Sequence, residues 1–331
     1  MRQLRGLSAG HGPRVVAIGG GHGLAASLKA LRRVSDNLTA VVGVSDDGGS
    51  SGRLRQEFSV LPPGDLREAL AALCGDDTWG RTWSRVVQHR FGGEGELNGH
   101  SLGNLLIMSL WEETGDVVAG LDWVAALLGA QGRVLPVSLT PLEIVADVGA
   151  LDPDHPDDVT EVRGQVAVAT TPGVVRAIRV DPDNPSACPE ALEAVAEADV
   201  IVLGPGSWFT SVIAPLLVEE LAEAVRVSSA QRVVVLNLVA QPGETTGFTA
   251  SDHISALTGH VPGFTADVVV ADTRSVTDPE TLAALCEDKL GAQLVVRPVA
   301  APRGRGGVHD PDLLAAAFAE LTGRDRITPW R

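Results

Sequence analysis

The 331-residue chain is 44% hydrophobic and carries 37 glycines, which is enough for one large α/β domain or two smaller ones and too apolar for a disordered chain. Twenty-six basic against 42 acidic side chains leave a formal charge of −16, which argues against non-specific nucleic-acid binding and against attraction to an anionic bilayer, so any phosphate site must be local. Cys74, Cys188 and Cys286 are far apart and lack CxxC spacing; they suggest neither a disulfide framework nor a zinc site and fit a reducing cytoplasm.

Residues 1–13, MRQLRGLSAGHGP, are basic without a signal-peptide core, and we expect a disordered N-terminus there. No apolar run is long enough to span a bilayer, so a cytoplasmic protein without membrane insertion is expected. Short β-branched runs then precede helix-like segments: RVVAIGG at 14–20, LTAVVGV at 38–44, ADVIVLG at 198–204, RVVVLNL at 232–238 and ADVVVAD at 266–272. Continuous apolar strands of this kind suit a parallel sheet covered on both faces. Leu24, Leu28 and Leu31 fall at helical spacing, as do Leu192 and Val195 after Pro189. The alternation predicts an α/β, Rossmann-like, doubly wound, mostly parallel sheet.

Residues 64–130 break the rhythm with four helix-like segments, near 64–73, 78–89, 101–114 and 117–129, and read as a helical insertion over the sheet. Residues 133–182 are richer in Pro and Asp; VLPVS, LEIVADV, QVAVAT and VVRAIRV there suggest short strands of an antiparallel extension, and 151–160, LDPDHPDDVT, an exposed turn. AAPRGRGGVHDP near the C-terminus reads as a flexible linker, followed by a docking helix, LLAAAFAEL. The expected organisation is one domain over 14–297 with the insertion at 64–130, then linker and helix over 298–331.

The first strand ends in GGGHGLAAS, where Gly21–Ala26 fits the G-x-G-x-x-A form of the dinucleotide fingerprint. Glycines there let the backbone approach a pyrophosphate, and the next helix offers free N–H groups; the plain alternative is a tight turn. Asp46 and Asp47 follow about twenty residues on, where such folds often place a ribose-binding carboxylate. They open SDDGGSSGR, with Gly48, Gly49, Ser50, Ser51 and Arg53. A second glycine turn, Gly204, Pro205, Gly206 and Ser207, follows the 198–204 strand, and a third loop after RVVVLNL presents Asn237, Gln241, Glu244, Thr245 and Thr246. In a parallel sheet these loops share one edge, so they converge on a phosphate- and sugar-binding crevice.

Arg53, Arg55 and Arg67 are the candidate phosphate cations, Arg55 reading better as solvated. Asp65 either caps the helix beginning LREALAAL or joins Asp46 and Asp47 in holding Mg²⁺, the one candidate metal. Asn98, His100, Ser101 and Asn104 face a ligand if their helix lids the cleft; otherwise they are structural. Trp208 and Phe209 either stack on a base or sugar or belong to the core. No catalytic residue is nominated.

The series IGGGHGL, VSDDGGSSGRLR, PPGDLREAL, GHSLGNLLI, LGPGSWFTSVIAPLLV, NLVAQPGETTGF and SDHISAL, over residues 14–272, resembles the bacterial YvcK group, the gluconeogenesis factor or morphogenesis factor family. That group is similar to the CofD 2-phospho-L-lactate transferases and shares their Rossmann-like fold. The resemblance implies a cytoplasmic nucleotide-sugar binder, with UDP-N-acetylglucosamine as ligand, that controls carbon flow to cell-wall precursors and cell shape, with no established reaction; homo-oligomerisation is compatible with it. Its glycine loop falls on Gly19, Gly20, Gly21, His22 and Gly23, its acidic turn on Asp46 to Arg53, its asparagine loop on His100 to Asn104 and its GPGS turn on Gly204 to Ser207. His22 replaces the usual threonine, so a phosphate-contacting hydroxyl is missing there. The alternative is a Mg²⁺-dependent phosphoryl-group transferase; a NAD-dependent oxidoreductase is weaker, because no proton-transfer residue can be nominated for hydride chemistry.

Overall fold

The computed structural model describes residues 12–152, 154–155, 157–302 and 307–322. Five apolar runs become parallel strands: β1 (Arg14–Gly19), β2 (Asn37–Val42), then, after β3 to β6, β7 (Val200–Leu203), β8 (Gln231–Val235) and β9 (Val268–Asp272). With β3 (Arg133–Pro136) and β10 (Gln293–Arg297) they form a seven-stranded sheet in the order β10-β9-β8-β7-β1-β2-β3, paired in parallel throughout. Ile18, Val41, Leu203, Val234 and Val270 have no exposed surface, as two covered faces require.

α1 (Gly21–Leu31) buries Leu24, Leu28 and Leu31. α2 (Gly49–Phe58) follows the second strand, and the insertion supplies α3 (Gly64–Leu73), α4 (Thr78–Gln88), α5 (Leu102–Thr114) and α6 (Val117–Leu128). α3 packs on α1 and so hangs the insertion over the C-terminal edge of β1 and β2. A smaller antiparallel sheet has the order β5-β4-β6, from β4 (Glu143–Gly149), β5 (Val159–Arg163) and β6 (Val174–Asp181). α7 (Gln165–Ala169), α8 (Pro189–Ala196), α9 (Glu219–Val227), α10 (Ala250–His260), α11 (Pro279–Leu290) and α12 (Pro311–Leu321) complete the helices. A π-helical turn, Trp208–Ile213, and a 3₁₀ turn, Ala214–Leu217, follow β7. α12 docks on α1, where Arg33 pairs with Asp312.

Four expectations need correction. VLPVS does not join the antiparallel sheet: its first residues extend the main sheet, with Val134 opposite Ala40 and Leu135 opposite Val41. QVAVAT is helical as α7, because Gly164 at φ +94° turns the chain and Asp47 Oδ1 accepts the Val166 N–H at 2.9 Å, satisfying a first-turn donor. The turn at 151–160 ends inside β5, an exposed strand without apolar alternation whose Glu161 and Arg163 pair with Arg179, Glu143 and Asp181. The 298–310 linker is tied down at its described ends: Ala300 and His309 form an antiparallel bridge. Residues 1–11 of the expected disordered N-terminus and 303–306 of the linker lie outside the described residues.

Asp272, at the end of β9, holds that strap. Its carboxylate is 2% exposed and accepts the amides of Arg274 at 2.8 Å, Val299 at 2.9 Å and Ala300 at 2.9 Å. Asp272→Ala leaves these buried donors unmatched and is expected to cost roughly 3 kcal/mol, read as a lower urea midpoint with an unchanged slope.

Candidate functional site

β1 and β7 lie side by side at the centre of the sheet, with β2 beyond one and β8 beyond the other, so the strand order reverses between them. Ligands of open α/β sheets bind at such a switch point, outside the carboxyl ends of the strands. A cleft of about 430 Å³ opens there, walled by the loops after β1, β2, β7 and β8, by α3 and by the C-terminal strap. Of the sequence candidates, Gly20, Gly21, His22, Gly23, Asp46, Gly48, Ser50, Ser51, Asp65, Asn104, Pro205, Gly206, Ser207 and Gln241 line it. Gly19, Asp47, Gly49, Arg53, His100, Gly204, Glu244 and Thr245 stand behind its wall or off it.

The first two loops meet backbone to backbone. A side chain on Gly23 would place its Cβ 2.2 Å from the Pro205 carbonyl oxygen and 2.5 Å from Gly206 Cα, so only glycine lets the start of α1 approach the GPGS turn. Ser27 Oγ donates to the Gly204 carbonyl at 2.8 Å, and Asn237 brackets the turn, accepting from Gly206 N at 3.1 Å and donating to Gly206 O at 2.8 Å. Neither α1 nor α2 has a side-chain cap or an acidic residue in its first turn, which leaves first-turn amides and a positive dipole end for an anion.

The acidic residues divide. Asp47 faces away, onto α7, while Asp46 Oδ1 accepts the Gly48 amide at 3.0 Å and its other oxygen crowds Gly64 beside Ser51 Oγ. Asp65 is not the cap of α3, whose cap position is Pro63; it stands in the first turn with its carboxyl against the glycine loop and the Gly21 amide. Burial first, then the neighbouring Asp46 and Glu68 charges, push its pKa up to about 7. Glu68 shares the α3 face of Asp65 and lies 3.2 Å from His22 Nε2, whose ring is otherwise exposed. Among the described residues, no group of three or more His, Cys, Asp or Glu side chains is placed to hold a metal ion, so the Asp46–Asp47–Asp65 set does not form. Asp46 and Asp65 with the Ser51 hydroxyl remain a hard-oxygen donor set of the type that Mg²⁺ takes when a ligand's phosphates supply the rest.

The basic residues divide too. Arg53 donates to the Asn98 and Glu96 carbonyls and Arg55 to Leu142 O at 2.8 Å, so both act within the protein. Arg67 lines the cleft, joined by Arg90, which no local pattern had flagged. His100 is buried against Ser50 Oγ at 3.0 Å; its burial and the nearby Arg53 charge lower its pKa. Asn104 is 1% exposed and donates to Ser50 Oγ at 3.1 Å, leaving its Oδ1 without a partner. The Ser101 hydroxyl is spent on Val87 O at 2.8 Å.

The third loop is half structural. Glu244 accepts the Phe209 amide at 2.9 Å and the Thr210 hydroxyl at 3.3 Å, and burial raises its pKa; Thr245 Oγ1 accepts the Gln241 amide at 2.8 Å, which leaves Gln241 to line the cleft. Trp208 and Phe209 are 0% and 1% exposed and pack against His253, Phe248 and His260, so they are core and not a stacking platform. Against the start of this loop the strap adds Val308 and His309, with Gly307 beside Val239 and His309 bonded to the Leu236 backbone. His309 is 6% exposed with Nε2 unpartnered; burial, above all, draws its pKa down to about 4, so the ring is neutral. Sequence reasoning missed Glu68, although Asp65 and Glu68 are three apart on one helix, and missed His309, which local composition placed in a linker.

A family profile described as 2-phospho-L-lactate transferase CofD matches residues 15–293. A Mycobacterium tuberculosis protein provisionally named gluconeogenesis factor is 50% identical over 311 residues, covering 94% of this chain and 91% of its own length. A gluconeogenesis factor from Listeria innocua is 39% identical over 267 residues, covering 80% of this chain and 79% of its own. The crystal structure of a UPF0052-family protein from Bacillus halodurans, 33% identical, matches with a TM-score of 0.79 over 93% of this chain and 98% of that one.

Two outcomes test this geometry. Alanine ordinarily stabilises a helix relative to glycine, yet Gly23→Ala is expected to lose roughly 2 kcal/mol of stability in thermal unfolding, because the methyl must displace the Pro205 carbonyl. For Asp65, the folded state binds the proton more tightly than the unfolded state, so stability falls as pH rises from about 3.8 towards 7 and stays low above. Asp65→Asn is therefore expected to raise the melting temperature at pH 8 and to leave it nearly unchanged at pH 4.

Proposed function

The chain belongs to the CofD family, and within it we propose that it is a nucleotide-sugar-binding regulator, with UDP-N-acetylglucosamine as its ligand, acting in the cytoplasm on carbon flow towards cell-wall precursors and cell shape. The name gluconeogenesis factor carried by its relatives supports the regulatory half of that reading. The observation that carries the binding half is the meeting of the glycine loop and the GPGS turn at the switch point, beside the first-turn amides of α1, of which Asp65 takes only that of Gly21.

In this reading the diphosphate lies on those amides, where close backbone approach and the helix dipole favour an anion. Two buried acceptors in the wall, Asn104 Oδ1 and His309 Nε2, lack donors among the described residues. A sugar, ribose or base supplies O–H and N–H groups in that position, and pairing them removes the cost of a buried unmatched acceptor. Asp65 is the obstacle, since its ionised carboxyl competes with phosphate for the Gly21 amide. A proton removes that charge; Mg²⁺ held by Asp46 and Asp65 would screen it when bound.

The same Asp46 and Asp65 pair favours a second reading, a metal-dependent phosphoryl-group transferase like the enzymes for which the family is described. There the two carboxylates would hold the metal, and the loop amides would stabilise charge developing on the transferring group.

Calorimetry with UDP-N-acetylglucosamine, UDP, dinucleotides and a deazaflavin, with and without Mg²⁺, separates the readings. Saturable binding of UDP-N-acetylglucosamine without turnover is expected; no heat from it under any condition overturns the proposal, and metal-dependent turnover of a phosphodiester donor moves the assignment to the transferase. Without metal, affinity is expected to rise by up to about tenfold from pH 8 to pH 6 as Asp65 takes its proton, and Asp65→Asn to flatten that profile.

A further inference from the structure

Arg67 is a buried cation with no hydrogen-bonded or ion-paired partner among the described residues: it is 7% exposed, and its Nε has no hydrogen-bond acceptor. Its stem is gripped between helices: a Cβ on Gly103 of α5 would stand 2.8 Å from Arg67 Cγ, so the absence of that side chain makes room for the arginine. Burying a charge is costly unless it is paired and hydrogen-bonded. Here burial acts against the charged form, and the nearby Arg90 adds repulsion; Glu68, Asp65 and Asp46 attract it only through space. A protein that needed Arg67 solely for its fold would give the five N–H donors acceptors.

We propose that Arg67, with Arg90, forms a second oxyanion subsite in the cleft wall, which takes the carboxylate or phosphate group of a small metabolite bound alongside the nucleotide. Both arginines line the cleft, on the side formed by the helical insertion; Arg90 is exposed and spends one N–H on the Gly99 carbonyl at 3.0 Å, so Arg67 is the anchor and Arg90 adds its remaining donors and charge. The glycine loop that receives the diphosphate lies across the Asp65 carboxyl, which faces the Gly21 amide and stands two residues before Arg67 on α3. Two anion-attracting walls divided by a carboxyl of pKa about 7 suit two separate anionic groups. A guanidinium fork meets either a planar carboxylate or a phosphate through two parallel N–H donors. This goes beyond the nucleotide-sugar reading: that reading needs only the loop side of the cleft.

The test is calorimetric titration of sodium phosphate and, separately, sodium acetate into the full chain, with and without saturating UDP, for the natural protein, Arg67→Met and Arg67→Lys. Saturable binding of at least one probe is expected, persisting under UDP, falling at least tenfold in Arg67→Met and less in Arg67→Lys; the probe that binds identifies phosphate or carboxylate as the group. Unliganded Arg67→Met is expected to melt no lower than the natural protein, because it removes an unpaired buried charge. The proposal is overturned if neither probe binds, if UDP abolishes the binding, if Arg67→Met binds as before, or if that variant is strongly destabilised or fails to fold, which would make Arg67 a structural residue. If UDP does not bind but the Arg67-dependent oxyanion does, the nucleotide-sugar reading falls and the subsite stands.

Discussion

The close approach of α1 to the GPGS turn governs the rest of the cleft. β1 and β7 are paired in parallel at the centre of the sheet, and their loops leave the same edge side by side. With a side chain at residue 23 the Pro205 carbonyl would have to move, and the start of α1 with it. Asn237 and Ser27 then fix the turn from both sides, so the backbone donors of the loop are positioned by packing before any ligand arrives. Preorganised donors of this kind cost little to use, which is why a backbone-lined crevice can bind a diphosphate without a cluster of lysines.

Electrostatics in the cleft oppose the charge of the whole chain only locally. A protein with net charge −16 repels an anionic ligand at long range. Within the cleft, Arg67 and Arg90 share the lining with Asp46, Asp65 and Glu68, and Asp65, Arg67 and Glu68 stand on the one helix α3. On the proposed reading the acidic group would make phosphate binding conditional on a proton or a cation, since Asp65, with its pKa pushed up to about 7 by burial first, changes charge near neutral pH. Regulation and catalysis both draw on such an arrangement. The same carboxyl pair serves a sensor whose ligand is gated by charge and a transferase whose ligand is bridged by metal.

Much of the architecture was legible from the chain. Apolar runs such as VVAI and VIVL need two covered faces, and the four helix-like segments of the insertion survive as α3 to α6, with α3 buried almost all round and α6 along one stripe. What failed to be read was set by distant partners. QVAVAT has the residues of a strand, but Asp47 supplies its first turn with an acceptor from more than a hundred residues away. β5 is exposed almost throughout and carries no apolar alternation, and β10 is an edge strand with only a three-residue apolar run, Leu294 to Val296, to betray it. Arg53 and Arg67 are both candidate phosphate cations by sequence, yet Arg53, like Arg55, is spent on backbone carbonyls and Arg67 is left in the cleft, a distinction that no spacing encodes.

The sequence by itself determined the class of fold, the positions of the glycine turns and the presence of acidic and polar groups after successive parallel strands. These are local matters: β-branched runs make strands, and glycine permits the turns wherever it occurs. Only the tertiary structure decided which side chains share the cleft. It turned Asp47 outward and Asp65 inward, buried Trp208 and Phe209, and brought His309 of the strap into the cleft wall. The reason is physical: burial, hydrogen-bond saturation and charge proximity depend on contacts between residues remote in the chain, and those contacts exist only once the sheet order and the packing of the insertion are fixed.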